Sequence, residues 1–333
     1  MKRVAIVGAT GAVGRTMLSI LQDREFPLTE LRLMASARSA GSKVETKWGE
    51  VEVEDLATCD PSGIDIALFS AGGARSKAFA HKFVEAGAVV VDNSSAFRME
   101  PNVPLVVAGV NDHAAGDHQG IIANPNCTTM TIMMAAGPLH RAVGLNQMIA
   151  SSYQSVSGSG MQGMKELSHQ IDAMRDNPDA LATGTWEDPG SGLYERPIGF
   201  NVLPMAGSLV DTYTDEEWKL VNETRKILEA PEVAVEPLCV RVPVMVGHGI
   251  AASMWFDRDL SRDEALELLA GAPGIQVWNE KTPTPLDSAG IDDVLVGRVR
   301  ETVGRPGGVS LWAVGDNLRK GAALNAVQIA ELL

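Results

Sequence analysis

At 333 residues, 45% apolar and 21% charged, the chain is long enough for about two domains with ordinary cores, and nothing in its composition suggests disorder. Its 42 acidic residues against 28 basic ones give a formal charge of −14, which argues against a nucleic-acid or membrane-surface partner. The three cysteines are widely spaced with no CxxC pair, so neither a disulfide framework nor a metal cluster is expected, and the short apolar run at the N-terminus predicts a soluble, cytoplasmic protein.

The first half alternates short Val/Ile/Leu-rich runs with helical patterns. Residues 4–7, 31–35, 64–70, 89–92, 105–107 and 121–123 predict buried, parallel strands, with helices over 15–22 and 76–85 between them. This is the rhythm of a Rossmann-type α/β nucleotide-binding domain. After about residue 130 a Gly- and Pro-rich stretch over 177–204 holds few clear elements. Longer strands over 238–246 and 250–256 follow, separated by a tight Gly247-His248-Gly249 corner. They predict a second, α+β domain with a mixed sheet. Residues 317–333 space Ala322, Ala326, Ile329 and Leu333 as a one-faced helix.

Gly8-Ala9-Thr10-Gly11-Ala12-Val13-Gly14 follows the first strand and opens the first helix. Glycines there let backbone N–H groups approach a pyrophosphate at a helix start, although the spacing also suits a plain tight turn. The second strand ends in Ala35-Ser36-Ala37-Arg38-Ser39 with no acid for a ribose diol. Arg38 with Ser36 and Ser39 suits a 2′-phosphate, so NADP(H) is expected over NAD; a solvated loop arginine is the other reading. No tyrosine is followed by lysine four residues on, which sets aside the short-chain dehydrogenase pair.

Cys127 stands in Asn124-Pro125-Asn126-Cys127-Thr128-Thr129, between a strand and an apolar helix. With Asn126 as N-cap the thiol falls in the first helical turn, where thiolate is favoured and free N–H groups can hold an oxyanion. Cys59 and Cys239 read as buried, inert thiols. His248, in its glycine corner, is the candidate base and Arg241 an anion ligand for the same cleft, although a lone histidine is more often structural. Arg98 follows a strand end, where open α/β sheets bind ligands. Thr214 to Glu217 form a capping box that puts Glu216 and Lys219 on one helix face, which by spacing alone reads as an exposed ion pair.

Taken together, GATGAVG (8–14), SSAFRM (94–99), NPNCTT (124–129), YQSVSGSG (153–160), EEWK (216–219), CVRVPV…GH (239–248) and DNLRKGAALNAVQIAELL (316–333) resemble bacterial aspartate-semialdehyde dehydrogenases over essentially the whole chain. The resemblance implies NADPH-dependent reductive dephosphorylation of L-aspartyl 4-phosphate to L-aspartate 4-semialdehyde and phosphate, on the branch toward lysine, threonine, methionine and isoleucine. Cys127 would be the thioester nucleophile, His248 the acid/base and Gln154 an orienting group. Arg98, Asn126, Gln154, Glu216, Lys219 and Arg241 would bind substrate, with phosphate on Arg98 and Lys219. Gly8, Thr10, Gly11, Ala12, Val13, Ser36, Arg38, Ser39, Ser157, Gly158 and Asn317 would contact the cofactor. It further implies a nucleotide domain of residues 1–130 plus 315–333, a catalytic and dimerisation domain of 131–314, and a homodimer or homotetramer. Gly249 departs from the family, where many members have Ser, and 203–207 is variable. The related N-acetyl-γ-glutamyl-phosphate reductase is disfavoured because Glu216 suits a free ammonium. A non-catalytic NADP-binding paralogue would be expected to have lost Cys127 or His248.

Overall fold

A computed structural model describes residues 1–190 and 192–333. By its contacts the chain divides into two units. The first comprises residues 1–137, 222–231 and 318–333; the second comprises 138–221 and 232–317. The division falls inside two helices, so each unit is described separately.

The first unit contains strands β1 (Lys2–Val7), β2 (Leu28–Ala35), β3 (Lys43–Thr46), β4 (Gly49–Asp55), β5 (Ile66–Phe69), β6 (Val89–Asp92) and β7 (Ile121–Ala123). They form one sheet in the order β3-β4-β2-β1-β5-β6-β7, parallel except for the β3–β4 hairpin at its edge. Continuous apolar runs build it because both faces are covered. On one face α1 (Ala12–Asp23) packs over Val4, Ile6 and Leu33 through Met17, Ile20 and Leu21. On the other, α2 (Gly73–Glu85) brings Ala80 and Phe83 onto Ala5, Val7 and Phe69. The chain reverses its winding at β1, whose neighbours are β2 and β5, which creates a switch point at the strand ends. The edge hairpin was not foreseen, because its Glu-rich strands carry little apolar signal. The strand expected over 105–107 shrinks to one bridge, Leu105 to Ala123.

Helix α3 (Cys127–Val143) leaves the end of β7 and continues into the second unit. That unit holds β8 (Leu145–Gln154), α4 (Gly160–Met174), α5 (Pro178–Thr183), the short pair β9 (Leu209–Val210) and β10 (Tyr213–Thr214), and the start of α6 (Asp215–Ile227). β11 (Ala234–Arg241), β12 (His248–Phe256), α7 (Arg262–Ala270), β13 (Ile275–Trp278), α8 (Pro285–Ser288), β14 (Val294–Glu301) and β15 (Val309–Gly315) complete it. The six-stranded sheet runs β11-β8-β12-β15-β14-β13 and is mixed, with β11–β8 and β13–β14 parallel. β8 alternates, with Met148 and Ala150 buried but Ile149 and Tyr153 exposed, so one face of the sheet stays open.

Two expectations need correction here. The strand predicted over 238–246 stops at Arg241 and does not form a corner with the next, because β8 lies between β11 and β12. Pro243 has no N–H to give a ladder, and Val244 N–H turns back onto Val242 O at 2.8 Å. His248 is therefore the first residue of a central strand rather than the tip of a turn. The C-terminal segment is also not one-faced. After a π turn over Arg319–Ala323, α9 (Leu324–Glu331) is buried on almost every side, packed against α1, β5 and β6.

Candidate active site

In the first unit the Gly8 loop sits at the switch point. Gly8 has φ +91°, and a Cβ on it would lie 2.4 Å from Ser70 O; one on Gly14 would lie 2.2 Å from Gly8 O. These two glycines are thus required by close backbone approach, with α1 pressed against the end of β1. Gly11 precedes α1 without a side-chain cap, so the N–H groups of Ala12 and Val13 start the helix uncapped by any side chain. Thr10 Oγ1 reaches Ser39 Oγ at 3.3 Å, which joins this loop to the turn after β2 that carries Ser36 and the exposed Arg38.

The thiol lies at the start of α3, as the motif predicts. Asn126 Oδ1 accepts from Thr128 N–H at 2.9 Å and Thr129 N–H at 3.3 Å, so Asn126 is the N-cap and Cys127 the first helical residue. Cys127 is half-buried, whereas Cys59 and Cys239 are buried. Burial pushes the Cys239 thiol up to about 12 and raises that of Cys59.

Arg98 is buried and engaged at three points. Nε donates to Asn124 O at 2.9 Å, Nη2 to Asn93 O at 3.0 Å and Nη1 to Glu223 Oε1 at 3.0 Å. Two of its five N–H donors are not used by these bonds.

The second unit gathers the other candidates at the ends of β8, β11 and β12. Gln154 Nε2 donates to Glu216 Oε2 at 3.2 Å, and Lys219 Nζ holds Glu216 Oε1 at 2.7 Å and Asp215 Oδ2 at 2.6 Å. Burial works against the Lys219 charge, but Glu216 and Asp215 outweigh it and raise its pKa. The expected capping box is present: Glu217 Oε2 accepts from Thr214 N–H at 2.7 Å, and Thr214 Oγ1 from Glu217 N–H at 3.2 Å.

His248 is fully buried, and desolvation, reinforced by Arg241, pushes its pKa down to about 3. The ring is therefore neutral. Ser155 N–H donates to Nδ1 at 3.1 Å, which assigns the proton to Nε2. Neither His248 Nε2 nor Arg241 Nε has a hydrogen-bond partner among the described residues, and a Cβ on Gly158 would lie 3.3 Å from the former and 3.1 Å from Arg241 Nη1. Gly158 thus leaves both groups uncovered by a side chain. Arg241 Nη1 donates to Ser155 O at 2.9 Å, and its guanidinium lies 5.9 Å over the Tyr194 ring. A cavity of about 270 Å³ opens beside it, lined by Leu193, Tyr194, Leu203, Met205 and Arg241. Asn317 is buried as a hub: its Oδ1 accepts from Gly247 N–H at 2.9 Å and from Ser155 and Ser157 hydroxyls at 3.1 Å.

Ser155, Glu223 and Lys226 were not read from the sequence. Glu223 stands seven residues after Glu216 on the same helical stripe, the one signal that could have drawn attention to it. Among the described residues no group of acidic, His or Cys side chains could hold a metal ion, and no helix is long and apolar enough to cross a membrane.

Two family descriptions match the chain: "Semialdehyde dehydrogenase, NAD binding domain" over residues 3–118 and "Semialdehyde dehydrogenase, dimerisation domain" over residues 137–320. The chain is 54% identical to the aspartate-semialdehyde dehydrogenase of Streptomyces akiyoshiensis, covering 99% of this chain and 98% of that one. It superposes on the Vibrio cholerae aspartate semialdehyde dehydrogenase II complexed with ASA with a TM-score of 0.93, at 43% identity and covering 100% and 98% of the two chains. The Candida albicans enzyme with NADP gives 0.76, at 26% identity with 100% and 98% covered. The chain belongs to the aspartate-semialdehyde dehydrogenase family.

Proposed function

We propose that the chain reduces L-aspartyl 4-phosphate to L-aspartate 4-semialdehyde through a thioester on Cys127, with NADP(H) as its cofactor. The observation that carries this reading is the thiol itself, in the first turn of a helix capped by Asn126. The helix N-terminus favours thiolate there and offers donors to an oxyanion. Sγ attacks the β-carboxyl carbon, the C–O bond to phosphate breaks, and phosphate leaves with the electron pair. This splits one difficult displacement into two easier steps.

The cradle fits a dinucleotide: glycines that no side chain could replace, an uncapped helix start, and Arg38 beside Ser36 and Ser39 for a 2′-phosphate. Bound there, NADPH supplies the hydride that lowers the acyl carbon to the aldehyde level. Cys127 then leaves as thiolate when the S–C bond breaks. His248 serves the carbonyl oxygen of both tetrahedral stages as a neutral Nε2–H donor. Nδ1 stays the acceptor of the Ser155 N–H, which keeps the proton on Nε2 and aims it at that oxygen. Arg241 and Glu216 take the substrate's carboxylate and ammonium, Gln154 orients the reacting group, and Arg98 with Lys219 holds the phosphate. Ser157, Gly158 and Asn317 complete the cofactor side.

The open sheet face with Ile149, Tyr153 and Leu238 supports a homodimer. With that biosynthetic role, a cytoplasmic location is part of the same proposal.

The test is the reverse reaction: NADPH formation at 340 nm from L-aspartate 4-semialdehyde, NADP⁺ and phosphate. Phosphate-dependent NADPH production is expected. Pure, folded protein that gave no signal, or a signal indifferent to phosphate, would reject the reading.

A further inference from the structure

Glu223 is 1% exposed, and both of its carboxylate oxygens are in use. Oε1 accepts from Arg98 Nη1 at 3.0 Å and Oε2 from the backbone N–H of Asn126 at 2.7 Å. A buried carboxylate is tolerated only when paired and hydrogen-bonded, so this one holds both donors in place together. Asn126 is the residue that caps α3 and precedes Cys127. One turn along α6, Lys226 Nζ donates to Arg98 O, Glu100 O and Val103 O at 2.8 Å each. The 222–231 segment of the first unit thus holds the arginine at its backbone and at Nη1, beside the Asn124 and Asn93 carbonyls that take Nε and Nη2.

We propose that Glu223 is a positioning residue of the reaction: one carboxylate sets the Arg98 guanidinium relative to the turn that carries Cys127. The leaving phosphate is thereby placed relative to the attacking thiolate. The inference rests on the function proposed above, in which Arg98 holds the phosphate. Glu223 acts through Arg98 and Asn126 and touches neither substrate nor cofactor. A misplacement of the order of an ångström at such a pair is enough to slow a reaction that depends on how the thiolate approaches the acyl carbon.

Glu223→Gln keeps the size but offers one acceptor oxygen and an NH₂ donor, so it cannot accept from Arg98 and Asn126 at once. Glu223→Asp keeps the charge but is one methylene too short to span both. In the full-length enzyme, run from semialdehyde to acyl phosphate, both variants should raise KM for inorganic phosphate about tenfold or more, as expected when one partner of a buried charge pair is altered. KM for NADP⁺ should stay at the wild-type value. A measurement free of turnover accompanies this: inorganic phosphate should protect Cys127 from iodoacetamide in the wild type, and in the variants only at about tenfold higher concentration.

Unchanged phosphate constants in both variants would overturn the proposal. So would a parallel rise of both KM values with a lowered melting temperature, or failure of both variants to fold, since either assigns Glu223 to the fold alone. A wild type without turnover whose thiol phosphate still protects would reject the substrate reading and leave the protection assay to decide on Glu223.

Discussion

Trp312 lays its indole where a side chain on Gly249 would be: a Cβ on Gly249 would lie 2.2 Å from both Cζ2 and Cη2 of the ring. The two residues sit on adjacent antiparallel strands, β12 and β15, and the indole is held by its own N–H on Pro283 O at 2.9 Å and by Tyr153, 5.6 Å away between ring centroids. The residue after His248 therefore has no room for a side chain while the indole keeps this position.

Gly249→Ser should destabilise the chain by about 1–3 kcal/mol, the usual penalty for overpacking. In a Trp312→Leu background the same change should be milder, because the obstructing ring is gone. Urea unfolding of the two single variants and the double variant checks this; strict additivity would show that the indole is not the obstacle.

The three thiols should behave as their surroundings dictate. Cys239 is held near 12 by burial and Cys59 is raised for the same reason, while Cys127 is half-buried at a helix start. Brief treatment of the native protein with iodoacetamide should put one carbamidomethyl group on the chain, and peptide mass mapping should place it on Cys127. Labelling of Cys239 at a comparable rate would contradict the packing around β11.

Most strands of the first unit were legible because a doubly covered parallel sheet leaves uninterrupted apolar runs, as in residues 89–92 and 121–123. The helix start at Cys127 was legible because N-capping is a local rule. The exposed β3–β4 hairpin was not, since Glu50, Glu52 and Glu54 alternate with only two valines and leave a weak apolar signal. Nor was the insertion of β8 between β11 and β12, because pairing across some 90 residues leaves no mark on local pattern. Gln154, Asn317 and any role for Glu216 and Lys219 beyond an ion pair needed the resemblance, and Glu223 lay beyond both, since its partners Arg98 and Asn126 are 125 and 97 residues away.

Lys320 is buried, and its ammonium donates to three neutral acceptors: Ala108 O at 2.8 Å, Asn325 Oδ1 at 3.0 Å and Gln328 Oε1 at 2.7 Å. Asn325 extends the network to Val106 O at 2.8 Å and Asn124 Oδ1 at 2.7 Å. Lys320→Met leaves three acceptors without that donor, and should cost about 3 kcal/mol or more. Hydrogen exchange should show faster opening around residues 106–111 than in the wild type. Protection there at the wild-type level would mean the ammonium is not what holds the segment.

His248 sets the last expectation, through its displaced titration. In the unfolded chain the ring takes up a proton near its ordinary value of 6.5, whereas in the fold burial and Arg241 hold it back to about 3. Between these limits the unfolded state binds the extra proton, so stability falls as pH falls. The contribution is whole above 6.5 and should decline by up to about 1.4 kcal/mol per pH unit on the way down. His248→Gln removes the titrating group, so the stability difference between wild type and variant, followed by urea unfolding from pH 7.5 to 4.5, should shift steadily against the wild type as the solution is acidified. The same displacement removes a His248 limb between pH 5 and 8 from the kcat/KM profile of the wild type, which reports the free enzyme. A difference independent of pH would mean that the ring is protonated inside the fold as readily as outside it, and that burial does not hold its proton affinity down.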